Sequence, residues 1–400
     1  MLYSKSSLLC FLRPCLFGGI LLAAFLLAFS FLPAKSRAAK PQYAASPFLE
    51  AAQTDTGKVD LLQWKFRTQG RVVGTPVVSS GAVYFASEDQ NIYALSAQSG
   101  VLLWRYKTKG PIFNSLALRK GILLCGSTDG NVYALHSKTG KLIWRFGSKG
   151  EIWSAPVCAK NLVLIGSNDN QLYALRLQTG APVWSFKAQG WVRATATVDK
   201  NKVYIGNSGQ DGNYQLYALS LAKGQLLWSF PVKGPVEAGA ATGKNLVYWG
   251  CEDGFCYALD KNTGKLAWKR KLDNAAWLNA APLLEGNSLY MAAGNGVVYK
   301  LLAADGSTLW RYKADGWFNA SPVSYQNSVI VANGGLHNNN YIYGIRKQDG
   351  SLLWRIRINA EVEKAAAISG KTIYVGSHDG YLYAIRLPAK NATFFLTPPQ

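Results

Sequence analysis

The residues able to do chemistry are few in this chain, and their spacing argues for binding rather than bond-making. The three histidines, His136, His337 and His378, fall far apart in sequence, so no serine, histidine and acid set can be assembled, and no glycine-rich phosphate loop is present. The six cysteines lack the short paired spacing of a metal site, and no metal ligand set is expected. Cys10 and Cys15 lie in the N-terminal apolar segment, while Cys125 and Cys158 read as small core residues. Cys251 and Cys256 flank CEDGFC, whose Asp-Gly centre suits a two-residue turn. That turn would set the two sulfurs opposite each other, able to bond in an oxidising compartment; free, half-buried thiols are the other reading. The acids Asp129, Asp169, Asp253 and Asp379 recur before or near a glycine, where they serve turn geometry first. What remains is a group of tryptophans, acids, amides and one arginine at a recurring position, and binding is the chemistry they suit.

The elements that must position them come from a repeat. YALSAQSGVLLW (93–104), YALHSKTGKLIW (133–144), YALRLQTGAPVW (173–184), YALSLAKGQLLW (217–228) and YALDKNTGKLAW (257–268) are followed by the looser YKLLAADGSTLW (299–310) and YGIRKQDGSLLW (343–354). YAIRL at 383 opens an eighth copy that lacks its tryptophan, and Trp64 in LLQWKF has no preceding tyrosine element. The two halves complete one another. Each unit holds four short runs separated by turns, which predicts four-stranded antiparallel blades in an all-β, eight-bladed propeller. The strand around Trp64 is expected to complete the last blade and close the ring. Trp64, Trp104, Trp144, Trp184, Trp228, Trp268, Trp310 and Trp354 then read as structural residues packed against neighbouring blades.

Two patterns single out one face, where outer-to-inner connections and second-to-third hairpins both emerge. Tryptophan spacing is 40 residues for most blades but grows to 44, 42 and 44 through NSGQDGNYQ (207–215), LDNAAWLN (272–279) and NGGLHNNN (333–340), all of which map there. Loops that vary on a rigid scaffold are where binding tends to sit. Of the five tryptophans outside the repeat position, Trp153, Trp191, Trp277 and Trp317 lead into innermost strands on the same face, joined by Phe113 and Phe318. Aligning these lead-in segments places Val73, Phe113, Trp153, Arg193, Glu237, Asn279, Asn319 and Glu363 at one equivalent position. Packing alone would repeat one residue type. The mixed ring predicts a binding surface at the channel mouth.

Composition sets the class. With 49% hydrophobic and 16% charged residues the 400-residue chain is globular, and disorder is excluded. Lys5 and Arg13 precede the uncharged run at 15–32, so residues 1–38 are expected to be a signal peptide cut after Ala38 or an uncleaved N-terminal membrane anchor. Either places the remainder outside the cytoplasm. A linker at 39–59, the propeller at 60–387 and a tail of no evident task at 388–400 complete the division. Without residues 1–38, 39 basic residues face 22 acidic ones. That surplus would suit an anionic surface or glycan, but the bases are spread over many repeats, among them Arg105, Lys107, Lys109, Arg145, Lys149 and Lys187. No specific nucleic-acid recognition is expected, and the closed ring is expected to be monomeric.

The tyrosine-alanine-leucine, threonine-glycine-lysine and tryptophan pattern resembles the pyrroloquinoline-quinone (PQQ) type repeat over nearly all of the chain after residue 59. In quinoprotein alcohol dehydrogenases this repeat forms the tryptophan docking motif of an eight-bladed propeller. The compact size is similar to another branch, the BamB family of outer-membrane β-barrel assembly proteins. That resemblance implies a non-enzymatic periplasmic scaffold whose inner-strand lead-ins hold a protein of the barrel-assembly machinery, without cofactor. Trp191 and Arg193 occupy one such lead-in and Glu237 the next; Glu237 keeps the family's acid, whereas Trp191 replaces an expected base. FLPAKSRAAK, after the apolar run, lacks the cysteine of a lipoprotein. The dehydrogenase alternative would require PQQ and calcium, a catalytic aspartate and typically adjacent cysteines. No two cysteines are adjacent here, although Glu237, Asn279, Asn319 and Glu363 carry oxygens suited to a hard cation.

Overall fold

Alternating apolar runs broken by Gly and Asp turns fold as predicted into eight blades. The computed structural model describes residues 61–209, 212–275, 277–335 and 339–388, together with the backbone of 392–395. The leader and the whole linker, 39–59, lie outside the described residues. In blade 1 the four strands are Val77–Ser79, Ala82–Ala86, Asn91–Ser96 and Leu102–Lys107, hydrogen-bonded in sequence order. Blades 2 to 7 repeat this over 117–147, 157–187, 197–231, 241–271, 283–313 and 323–358. Blade 8 takes its three inner strands from 367–386 and its outer strand from Leu62–Arg67, which pairs antiparallel with Tyr381–Arg386. The N-terminal strand therefore closes the ring.

Burial follows position in the blade. Second strands such as Ala82–Ala86 and Ile122–Gly126 are buried throughout, because a neighbouring blade covers each face; outer strands alternate towards solvent. Each core cluster combines residues of adjacent blades. Tyr84 and Ile92 of blade 1 pack with Leu123 and Tyr133 of blade 2. The circuit closes where Phe85 and Leu95 of blade 1 meet Tyr374 and Leu382 of blade 8.

The repeat tryptophans fasten one blade to the next. Trp64, Trp104, Trp144, Trp184, Trp228, Trp268 and Trp310 each donate an indole N–H to a backbone carbonyl of the following blade, at Ala97, Ser137, Leu177, Leu221, Lys261, Ala303 and Lys347. The indole face lies on the turn glycine of that blade. At Gly264 (φ +69°) a Cβ would fall 2.7 Å from the Trp228 ring, so this position demands both the left-handed conformation and the missing side chain. Trp354 differs because the last blade has no continuous third-to-outer turn. It is buried instead among Leu61, Ile385 and Leu387.

Two points that the sequence left open are filled in. Cys251 and Cys256 are free. The hairpin closes with a three-residue loop, Cys251 N–H donating to the Phe255 carbonyl and Cys256 standing opposite Gly250. Side chains one register step apart point to opposite faces of a sheet. Accordingly Cys251 packs towards blade 4 and Cys256 towards blade 6. The tail, which had no evident task, supplies a further strand: Ala392–Phe395 pairs parallel with the outer strand of blade 7, Leu352–Ile358. Cys125 is a buried core residue, as expected, and Cys158 is half-buried.

Candidate functional site at the channel mouth

The ring is set by alternation along each lead-in. Val72, Ile112, Ile152, Val192, Val236, Leu278, Phe318 and Val362 all point into the core. Ile152, for example, sits where a Cβ on Gly126 would fall 2.3 Å from its Cγ2. The next residue along must then face the axis. Phe113, Trp153, Arg193, Glu237, Asn279, Asn319 and Glu363 accordingly line one cavity of about 460 Å³ at the mouth. Val73, in the eighth position, is buried, and Arg71 lines the mouth in that sector. Beneath the cavity a narrower channel of about 270 Å³ passes small side chains such as Thr75, Ser115, Thr195 and Ser321.

Phe318 does not belong to this surface. It is fully buried and meets Tyr343 edge-on, because it holds the core position of its lead-in rather than the axial one. Trp191, Trp277 and Trp317 stand on the predicted face, two residues before the axial position. Each is tied through its backbone to the second-to-third hairpin of its own blade, at Ser208, Gly294 and Gly334. Each of these bonds lies in or beside one of the three extended loops, of which Gln210, Asp211, Ala276 and 336–338 lie outside the described residues.

The mouth is chemically divided. In one sector Phe113 and Trp153 stack at 4.4 Å and 11°, and the Arg193 guanidinium lies 5.1 Å from the Trp153 ring and 4.2 Å from the Trp191 ring. Arg193 Nε donates to Asn168 Oδ1 (3.0 Å), Asn168 Nδ2 donates to Glu151 Oε2 (3.2 Å), and Trp153 Nε1 donates to the same oxygen (2.7 Å). Stacking and hydrogen bonds therefore hold the cation in one orientation. In the other sector Trp277 Nε1 donates to Asn319 Oδ1 (3.2 Å), while Asn319 Nδ2 and Trp317 Nε1 both donate to Glu361 Oε1 (3.2 and 3.0 Å). His378 Nε2 lies 3.1 Å from Glu363 Oε2.

Local fields follow. Burial, reinforced by nearby Glu237 against an opposing hydrogen bond from Asn279, raises the Glu252 carboxyl above its ordinary range. Burial pushes Glu363 the same way, but the His378 hydrogen bond, Lys364 and Arg71 together hold it below that range. Asn279 Oδ1 is buried and accepts no hydrogen bond among the described residues.

Arg71, Glu88, Glu151, Asn168, Glu252, Glu361 and His378 were not singled out by the repeat reading. A legible signal existed for several. The hairpins SED, STD, SND, CED and SHD align Glu88, Thr128, Asn168, Glu252 and His378 between two turn residues, forming a second tier behind the ring. The aspartates beside them do serve the turns, and each also accepts from the repeat tyrosine, as in Tyr133 Oη to Asp129 Oδ2 (2.6 Å).

A family model described as outer membrane protein assembly factor BamB matches residues 43–145, 128–276 and 252–389. The chain belongs to this family. No curated protein matches it in sequence. Among solved structures, the computationally designed Ika8 protein is 21% identical, with a TM-score of 0.71 over 83% of this chain and 100% of that one. BamB from Moraxella catarrhalis is 16% identical, with a TM-score of 0.67 over 82% and 99%. Quinohemoprotein alcohol dehydrogenase from Comamonas testosteroni is 14% identical, with a TM-score of 0.68 over 82% and 77%. A designed protein, an assembly factor and an enzyme thus share the architecture, which by itself assigns no activity.

The side chains of this BamB-family mouth fit a planar quinone with calcium poorly. Trp153 is already stacked on Phe113 and carries the Arg193 guanidinium over its ring. Among the described residues no three His, Cys, Asp or Glu side chains are grouped to hold a metal ion.

Proposed function

We propose that this propeller is an exported, non-enzymatic scaffold that uses its channel mouth to hold a protein of the outer-membrane β-barrel assembly apparatus, without a cofactor. The observation that carries the reading is the fixed juxtaposition at the mouth: an arginine clamped between two indoles faces a carboxylate and amide sector across the axis. Charged and aromatic side chains held in fixed positions suit a protein surface of complementary charge. Membership of the BamB family supplies the class of partner.

Glycan stacking has less support. Trp153 is stacked on Phe113, Trp191 carries the Arg193 guanidinium over its ring, and the Trp277 and Trp317 indoles pack against Gly294 and Gly334. The test is capture from detergent-solubilised outer membranes by the wild type and by Arg193→Glu with Glu237→Arg. Retention of a barrel-assembly component by the wild type alone, with both proteins folded by circular dichroism, is the expected result. Calcium and a quinone co-purifying with the wild type, with no assembly component retained, would overturn the reading in favour of a dehydrogenase.

A further inference from the structure

Away from the mouth, the outer strands of the blades present a repeated edge. In blade 7 that edge, LLWRIRI, is paired in parallel by the chain's own segment ATFF at 392–395, with Trp354 opposite Ala392 and Arg357 opposite Phe395. The same edge recurs as LLWRYK in blade 1, LIWRFG in blade 2 and TLWRYK in blade 6. Among the described residues no strand covers these three. Their aliphatic residues stand in solvent, Leu103 at 55%, Ile143 at 43% and Leu309 at 51%, whereas Leu352 and Leu353 of blade 7 are half-buried.

An uncovered strand edge with exposed aliphatic residues is a template for pairing. We infer that the outer edges of blades 1, 2 and 6 bind an extended, uncharged, aromatic-containing segment of another polypeptide, added as a parallel fifth strand in the manner of residues 392–395 on blade 7. One C-terminal segment per chain is already placed on blade 7 and cannot fill three further edges. Arg105, Lys107 and Arg145 along those edges disfavour pairing between two such edges, yet leave an uncharged strand welcome. The inference does not depend on the mouth.

Hydrogen exchange on the full chain tests it, using a synthetic peptide with the sequence of residues 391–397 as the probe. Amides of 102–107, 142–147 and 308–313 should exchange at least about fivefold more slowly at saturating peptide. A peptide carrying Thr393→Pro and Phe394→Pro should give no protection. Leu102→Lys with Leu103→Lys should abolish the effect in blade 1 and leave blades 2 and 6 responsive. Equal protection by both peptides, or protection confined to the mouth, would overturn the inference. So would slow exchange of these strands before any peptide is added, since they would then be covered by the protein itself.

Discussion

Arg193 carries the residue-scale argument, because its planar cation is held by two indoles and by Asn168. Arg193→Lys keeps the charge but removes the planar stacking and the fixed fork. The expected outcome is altered tryptophan emission and an approximately tenfold weaker hold on the partner, read by fluorescence and by titration, from a cation–π term of about 1–2 kcal/mol. Glu252 tests the field at the mouth. Its folded pKa is raised chiefly by burial, so the ionised form is disfavoured in the fold once pH exceeds the ordinary carboxylate range. Glu252→Gln should therefore raise the melting temperature at pH 7, and the difference should vanish as pH falls below that range and the wild-type carboxyl is protonated in both states. No difference at pH 7 would contradict the assignment. The axial positions were legible because alternation along a short strand fixes which side chain faces the channel. Phe318 was misplaced by one step of that alternation. The bonds joining Trp153, Glu151, Asn168 and Arg193 were not legible, since Asn168 reaches Glu151 from a hairpin of the same blade and Arg193 reaches Asn168 from the next blade.

At the scale of elements, the tryptophan and its glycine partner form the unit that repeats. Trp228→Ala should cost about 3–5 kcal/mol in denaturant unfolding, as for other large buried aromatics, because it empties the contact with Gly264 and removes the indole donor to the Lys261 carbonyl. A cost within the range of surface substitutions would refute the docking role. The hairpin at Cys251 makes a second element-scale prediction. Its three-residue loop turns the two sulfurs to opposite faces, so the denatured, unreduced protein should show both as free thiols by Ellman titration and mass. In the native state, burial raises the Cys125, Cys251 and Cys256 thiols well above their ordinary range and pushes Cys158 up to about 11. All four should react slowly at pH 8. The Asp-Gly pair announced the turn but not its length, and one residue of loop length decides which face a side chain takes. The strand at 392–395 was likewise hidden, because NATFFL matches no repeat and its pairing partner lies outside its own blade.

For the whole molecule, the count of half-repeats at the two ends was enough to read a closed ring, since an orphan tryptophan strand and an orphan tyrosine strand complete one blade. The core bears this out in its interfaces: blade 8 packs on blade 7 through Ile373 and Ile385 and on blade 1 through Tyr374 and Leu382. The fold was legible because similar turns and the same docking residue recur at a near-constant spacing of 40 to 44 residues. The proposed site was only partly so, because it is built from the positions where repeats differ, and a difference has no internal copy to confirm it. The central claim, that the mouth is the partner-binding face, is tested most directly by site-specific photo-crosslinking in cells. A photoreactive residue at Phe113 or Asn319 on the mouth is predicted to crosslink a barrel-assembly component, while one at Lys138, in the third-to-outer turn of the opposite face, should not. Crosslinks to that component from Lys138 with none from Phe113 or Asn319 would contradict the account.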